Sequence, residues 1–393
     1  MGQSPNSADC NQSGIGFPFL QGNAEFQEKY PIAKNWCHIP NKKSEKDDVL
    51  LSVRAPIGAL NIADQSYGIG RGLCAVRAEV PNYIYYLLAA ANNELLSLGT
   101  GSTFTAISAE QLGNLPIPET SFAAQTHIAN YLDRKTAEID ILIARKERLI
   151  ELYEEEKTAV INQAVTKGLD PDVTMKPSGI DWLGDIPEHW EVKRLGHLSK
   201  VVRGASPRPA GSPVYFNGNH TPWITVGEIT KDEEKYLFST SDYLTEAGQK
   251  QSRYIEKGTL LLSNSGATLG VPKITKIGGC INDGSVAFFN IENNVNIDFI
   301  YYFLKSLTLH LRELVKVSGQ PNLNTDIVKS IMVSISDDNE QTDIVQHIET
   351  ECSRLDVIID KFKKQIELLK EYRPTLISEV VTGKIDVRDE VVQ

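Results

Sequence analysis

No run of eighteen apolar residues occurs in the 393-residue chain, and the opening MGQSPNSADC has neither the basic start nor the apolar stretch of a secretion signal. A spanning helix and an exported precursor are therefore not expected, and the location read from the sequence is cytoplasmic. Cysteine is scarce: Cys10, Cys37, Cys74, Cys280 and Cys352 lie far apart, with no CxxC pair and no Cys/His cluster. That spacing supports neither a disulfide framework nor a zinc site, so five scattered thiols are expected. The Asn/Asp-Pro-Pro-aromatic run of amino-methylating enzymes is missing, and so is a Walker lysine loop. GIGRG at 68–72 lacks the strand–turn–helix setting of a dinucleotide fingerprint and reads as a glycine turn. His127 and His347 have no second ligand near them in sequence and read as surface or seam histidines. The expectation is a chain with no catalytic residues, no metal and no cofactor of its own.

Forty Lys+Arg against 51 Asp+Glu give a net charge of −11, which argues at first against a nucleic-acid partner. The distribution weakens that argument. Residues 190–335 hold 16 basic and 13 acidic residues, whereas 336–393 hold 8 and 14. The acidity is concentrated in the segments that look helical and in the linker, not in the segment between the helices.

What the chain does have is a repeat. IDILIARKERLIEL at 139–152 returns as LDVIIDKFKKQIEL at 355–368, an offset of 216. The same offset pairs Tyr83-Ile84-Tyr85-Tyr86 with Phe299-Ile300-Tyr301-Tyr302, Gln125 with Gln341, Asp140 with Asp356, and Val165-Thr166 with Val381-Thr382. Register held over nearly ninety residues fixes the architecture before any other motif does. Upstream the match continues with shifts: DVLLSVRAPIG (48–58) answers GTLLLSNSGATLG (258–270), GIGFPFLQGNAEF (14–26) answers NHTPWITVGEIT (219–230), and GQSP (2–5) answers GASP (204–207).

Each copy reads as a β-rich mixed domain followed by a long helix. The first helix carries Ile128, Leu132, Ile139, Ile143, Ile150 and Tyr153 on one stripe, and the second Ile348, Leu355, Ile359, Phe362, Ile366 and Leu369. The predicted helix–helix seam is Ile139, Ile143 and Ile150 against Leu355, Ile359, Phe362, Ile366 and Leu369. Helices of about 45 residues, roughly 65 Å long, cannot bury such a stripe alone, and the economical partner of each is its antiparallel twin. Asp140 and Asp356 then read as helix-surface partners. The fold class expected is α/β (α+β), two copies of one domain separated by two long antiparallel coiled-coil helices, an internal repeat with a pseudo-twofold axis. Two similar heads at a set spacing suit two half-sites on one face of duplex DNA.

Base reading needs polar side chains on loop tips. In the first domain the candidates are Gln21, Asn23, Arg54, Arg71, Thr103 and Thr105. In the second they are Arg203, Arg208, Lys231, Asn264, Ser265, Gln320, Asn322 and Asn324. The aromatic residues at 83–86 and 299–302 read as core.

The residues carry a resemblance. GIDWLGDIPEHWEVKRL (179–195), the GQSP and LQGNAEF start, DVLLSVRAPIG, IYYLL and IYYFL, LPIP (115–118), the helix-opening Gln125 and Gln341, and VTKG and VTGK resemble the specificity subunit of type I restriction–modification systems, along essentially the whole chain. The resemblance implies a non-catalytic DNA-specificity subunit with two target-recognition domains, each contacting one part of a split site. It also implies spacer helices on which two methyltransferase subunits dock, in a complex with motor/endonuclease subunits. S-adenosylmethionine, ATP and magnesium would then serve those partners and not this chain. Its layout would be a recognition domain at 1–120, a spacer helix at 121–170, a linker at 171–190, a second recognition domain at 191–336, and a second helix and tail at 337–393. The first copy has no counterpart to residues 189–202, so an opening strand is expected to be missing there and stability lowered. A truncated or silent allele serving as recombination donor, and a coiled-coil scaffold that binds no DNA, are the alternatives.

Overall fold

The two apolar stripes form continuous helices, Phe122–Lys167 of 46 residues and Asp338–Val381 of 44. The structure, a computed structural model of the chain, describes residues 1–99, 106–266, 268–318, 322–388 and 390. It divides into two compact units, one made of 1–150 and 361–393, the other of 151–360. These units cut across the linear layout because each takes part of both long helices.

Within the first unit the helices run antiparallel. His127 Nε2 lies 2.6 Å from the Val387 carbonyl, Asp140 pairs with Arg373 at 3.2 Å, and Lys146 donates to Gln365 at 2.7 Å. Ile139 and Ile366 are buried, and Ile143, Ile150, Phe362 and Leu369 are half-buried. In the second unit Leu355 and Ile359 are buried, and Lys157 pairs with Asp356 at 2.6 Å. Asp140–Arg373 and Asp356–Lys157 are one ion pair written twice, since both members repeat at the offset of 216. These exposed pairs set register more than stability.

The sheets repeat as well. Val49–Ser52 is the centre of a three-stranded antiparallel sheet with Leu60–Ile62 and Leu73–Val76, and Leu260–Ser263 sits likewise between Pro272–Thr275 and Ser285–Phe289. Leu51 faces Leu60 and Cys74; Leu262 faces Pro272 and Val286 in the same register. A second sheet carries one parallel pair in each unit, Phe19–Gly68 with Leu20–Ile69, and Trp223–Cys280 with Ile224–Ile281. These short strands are apolar on both faces because one face meets the other sheet and the other the helix that follows, Pro81–Ala90 or Ile297–Ser306. On those helices Tyr83, Tyr86, Phe299, Tyr301 and Tyr302 are buried. They pack as core, as the sequence suggests.

A lysine ties each sheet to its helices. The Lys29 carbonyl accepts from Ile62 N–H at 2.8 Å while its ammonium meets Asp133 at 3.6 Å; the Lys235 carbonyl accepts from Ile274 N–H at 3.0 Å while its ammonium meets Asp298 and Glu349 at 2.6 Å. The linker GIDWLGDIPEHW is a clamp on the second unit. Asp185–Pro187 pairs with Met175–Pro177, Trp182 meets Phe303 edge-on, and buried Trp190 donates its indole N–H to Glu340 at 3.0 Å.

The units differ at one flank. In the second, Lys200–Arg203 pairs with Ser285–Phe289, and Glu191–Arg194 pairs with Met332–Ile335. In the first, among the described residues, the outer edge of Leu73–Val76 bears no strand and residues 115–118 form none. Ile117 is 54% exposed where its counterpart Val333 is 0%. Among the described residues no helix is long and apolar enough to cross a membrane.

Candidate nucleic-acid interface

Five backbone hydrogen bonds gather the candidate loops of the first unit into one tip. Gly2 N–H donates to Leu73, Gln3 to Ile69, Gly70 to Leu20, Val53 to Gly72 and Ile107 to Val53, all at 2.8–3.0 Å. The same five recur in the second unit at 2.8–3.1 Å: Gly204 to Ser285, Ala205 to Ile281, Asn282 to Ile224, Asn264 to Gly284 and Leu323 to Asn264. The frame is thus one structure used twice. GQSP and GASP begin with glycine because the backbones touch there. A Cβ on Gly2 would stand 2.2 Å from the Gly70 carbonyl oxygen, and one on Gly204 would stand 2.0 Å from that of Asn282. Buried Ser52 and Ser263 hold the adjoining loops, Ser52 Oγ donating to Arg54 and Pro56 carbonyls and Ser263 Oγ to that of Thr268.

On this frame the polar side chains diverge. Arg54 and Arg71 are exposed in the first unit, and among the described residues neither meets a carboxylate. Gln21 is exposed and donates to Ser4 Oγ at 2.9 Å, and half-buried Asn23 opens a short 3-10 turn. Thr103 and Thr105 lie outside the described residues, as does Gln320. Arg54 bridges Ala106 through the backbone at the place where Ser265 bridges Asn322. The crossing brings the stretches that carry Gln21, Arg54 and Arg71 together.

Four candidates in the second unit are placed differently from the expectation. Asn264 is only 1% exposed, and its backbone N–H and carbonyl are both used in the crossing, so it supports the loop from inside instead of standing at a tip. Among the described residues its side-chain Oδ1 has no hydrogen-bond partner. Asn324 is an exposed N-cap, accepting from Asp326 and Ile327 N–H, which occupies its oxygen. Lys231 is paired with Glu228 at 2.9 Å. Arg208 and Asn322 are exposed and Ser265 is half-buried, while Arg203, also exposed, ends the strand Lys200–Arg203 opposite Val286 instead of standing on a loop, because that strand completes the sheet edge.

Sequence reasoning missed Asp283. It accepts from Ser206 Oγ at 2.6 Å and pairs with Arg208 at 3.3 Å, while Arg203 Nε donates to its carbonyl at 2.7 Å. The Ser206 hydroxyl holds its carboxyl below the usual carboxylate range, with Arg208 and Arg203 adding to the effect. The signal was the register of GIGRGL (68–73) on CINDGS (280–285), which sets Arg71 on Asp283. Among the described residues no group of three His, Cys, Asp or Glu is placed to hold a metal ion.

Comparison with known proteins agrees with this picture. The sequence profile of the type I restriction modification DNA specificity domain matches residues 1–152 and 187–368. The putative type I restriction enzyme MjaX specificity subunit of Methanocaldococcus jannaschii is 38% identical over 170 residues, which are 42% of this chain and 39% of that protein. The type I restriction enzyme MjaIX specificity subunit of the same organism is 26% identical over 356 residues, 88% of this chain and 79% of the relative. The crystal structure of the HsdS subunit from Thermoanaerobacter tengcongensis shares the fold, with a TM-score of 0.61 at 17% identity over 90% of this chain and 87% of that one.

Proposed function

The chain belongs to the type I restriction modification DNA specificity family, and from that premise we propose that it is the non-catalytic subunit that reads a split DNA site, one half with each unit. The observation that carries this reading is the twice-built tip, in which five equivalent backbone hydrogen bonds hold loops whose exposed side chains differ. An identical frame with different polar ends suits two half-sites of different sequence. The mild basic excess of residues 190–335 is consistent with a duplex partner, since phosphate contacts supply most of the affinity and side chains at base edges the choice.

Methyltransferase subunits are the partners proposed for the long helices. Exposed Ile141 and Val357 hold the same register on the two helices, and so do exposed Leu152 and Leu368. Apolar side chains repeated on an otherwise charged face are what two copies of one partner would each bury. S-adenosylmethionine, ATP and magnesium belong in this scheme to the partner subunits.

The test is base methylation across the genome of a host making this chain with a type I methyltransferase subunit, compared with the methyltransferase alone. A new two-part motif supports the reading. A chain that binds the methyltransferase yet yields no new motif sinks it.

A further inference from the structure

Arg71 and Asp283 occupy one position of the repeated tip. Each follows a residue whose N–H closes on the parallel strand, Gly70 on Leu20 and Asn282 on Ile224, and each precedes a glycine whose carbonyl accepts from the crossing loop. One is a cation and the other an anion. We propose that this shared turn position determines the base class taken by each unit, a guanine where Arg71 stands and a base with an exocyclic amino group where Asp283 stands. The proposal rests on the split-site reading above and deepens it.

The chemistry follows from donors and acceptors. A guanidinium is donor-only, and the major-groove edge of guanine offers two acceptors, O6 and N7, at the spacing of its fork. Arg71 is exposed on a turn whose backbone is pinned on both sides, which aims the side chain without occupying it. A carboxylate is acceptor-only and complements the amino group of cytosine or adenine. Asp283 uses one oxygen on Ser206 Oγ and shares the other with Arg208, which leaves acceptor capacity on the second oxygen. Arg208, exposed and paired with that carboxylate, supplies a donor beside the acceptor, so this turn position presents both polarities where Arg71 presents donors alone.

The experiment uses the full chain in complex with a type I methyltransferase subunit, and selects bound duplexes from a library randomised over about thirty base pairs, three helical turns. Wild type, Arg71→Ala, Arg71→Lys and Asp283→Asn are compared. Arg71→Ala is expected to lose roughly tenfold or more of the preference for guanine at one position of one half-site, leaving the other half unchanged. Arg71→Lys keeps the charge without the fork and should recover affinity but not that preference. Asp283→Asn should lose discrimination for cytosine or adenine at one position of the opposite half. Unchanged base preferences, with affinity lowered alike on every sequence and a salt slope reduced by about one, would make Arg71 a phosphate contact and overturn the proposal. A wild-type complex that selects no two-part motif overturns the split-site reading itself, and this inference falls with it.

Discussion

Gln341 is fully buried, yet its amide is fully employed. Its Oε1 accepts from Asn296 N–H at 2.8 Å, and its Nε2 donates to the Ser336 and Asn294 carbonyls at 2.9 and 3.1 Å. It pins the start of Ile297–Ser306, the loop just before that helix, and the residue that follows the strand Met332–Ile335. Among the described residues its twin Gln125 keeps only the side-chain bond to the carbonyl five residues back, Thr120, at 3.2 Å, and is half-buried. Gln341→Leu should therefore strand one buried and two partly buried backbone groups and cost about 2–3 kcal/mol, while Gln125→Leu costs about 1 kcal/mol or less. Urea unfolding of the two variants checks the ratio; equal losses would show that the extra bonds contribute nothing. The recurrence of this glutamine was legible as a letter at a fixed offset. Its partners were not, because they are backbone atoms. The same limit explains the candidate site. Arg54, Arg71 and Arg208 are exposed on loops and Arg203 is exposed at the end of a strand, whereas Asn264 is turned inward by a loop crossing that a linear pattern does not encode.

Strands behave differently from helices, because a strand exists only with a neighbour. Residues 115–118 and 331–334 share the register of the repeat, but in the second unit Met332–Ile335 pairs with Glu191–Arg194, and in the first, Pro116 and Pro118 offer no N–H to a ladder. Val333→Asp should place an unpaired carboxylate in the core and destabilise the second unit by about 4 kcal/mol or more. Ile117→Asp should change stability by no more than about 0.5 kcal/mol. Thermal unfolding of both variants decides this; a large loss from Ile117→Asp would mean that this flank is covered in solution. The helices needed no such neighbour to be recognised. Their apolar stripes, with alternating steps of four and three from Leu355 to Leu369 in the second, predict elements of about 45 residues, and the observed lengths are 46 and 44. Ends of shorter helices follow local rules too, as at the Ser108 capping box of Ala109–Gly113 and the Asn296 cap of Ile297–Ser306.

At the scale of the whole chain, the first unit is built from two separate stretches of sequence, 1–150 and 361–393, and each unit takes part of both long helices. The core of the first includes Leu376, Ile377, Val380 and Val381 from the second long helix, and the core of the second includes Ile161, Ala164 and Val165 from the first. A chain divided within the linker, made as 1–170 and 171–393, should hence give two fragments that are unstable separately and copurify when produced together. Recovery of each alone as a folded monomer, seen in its thermal transition, would contradict that exchange of segments. The linear chain was enough to establish that there are two copies of one design, that each ends in a long helix, and which loops carry polar side chains. All of that is written in local periodicity and in letters returning at one offset. Which halves of the helices join which sheet, which asparagine is buried and which arginine is steered by a carboxylate came only with the folded chain. Those outcomes depend on backbone groups far apart in sequence competing for the same hydrogen bonds and the same buried space.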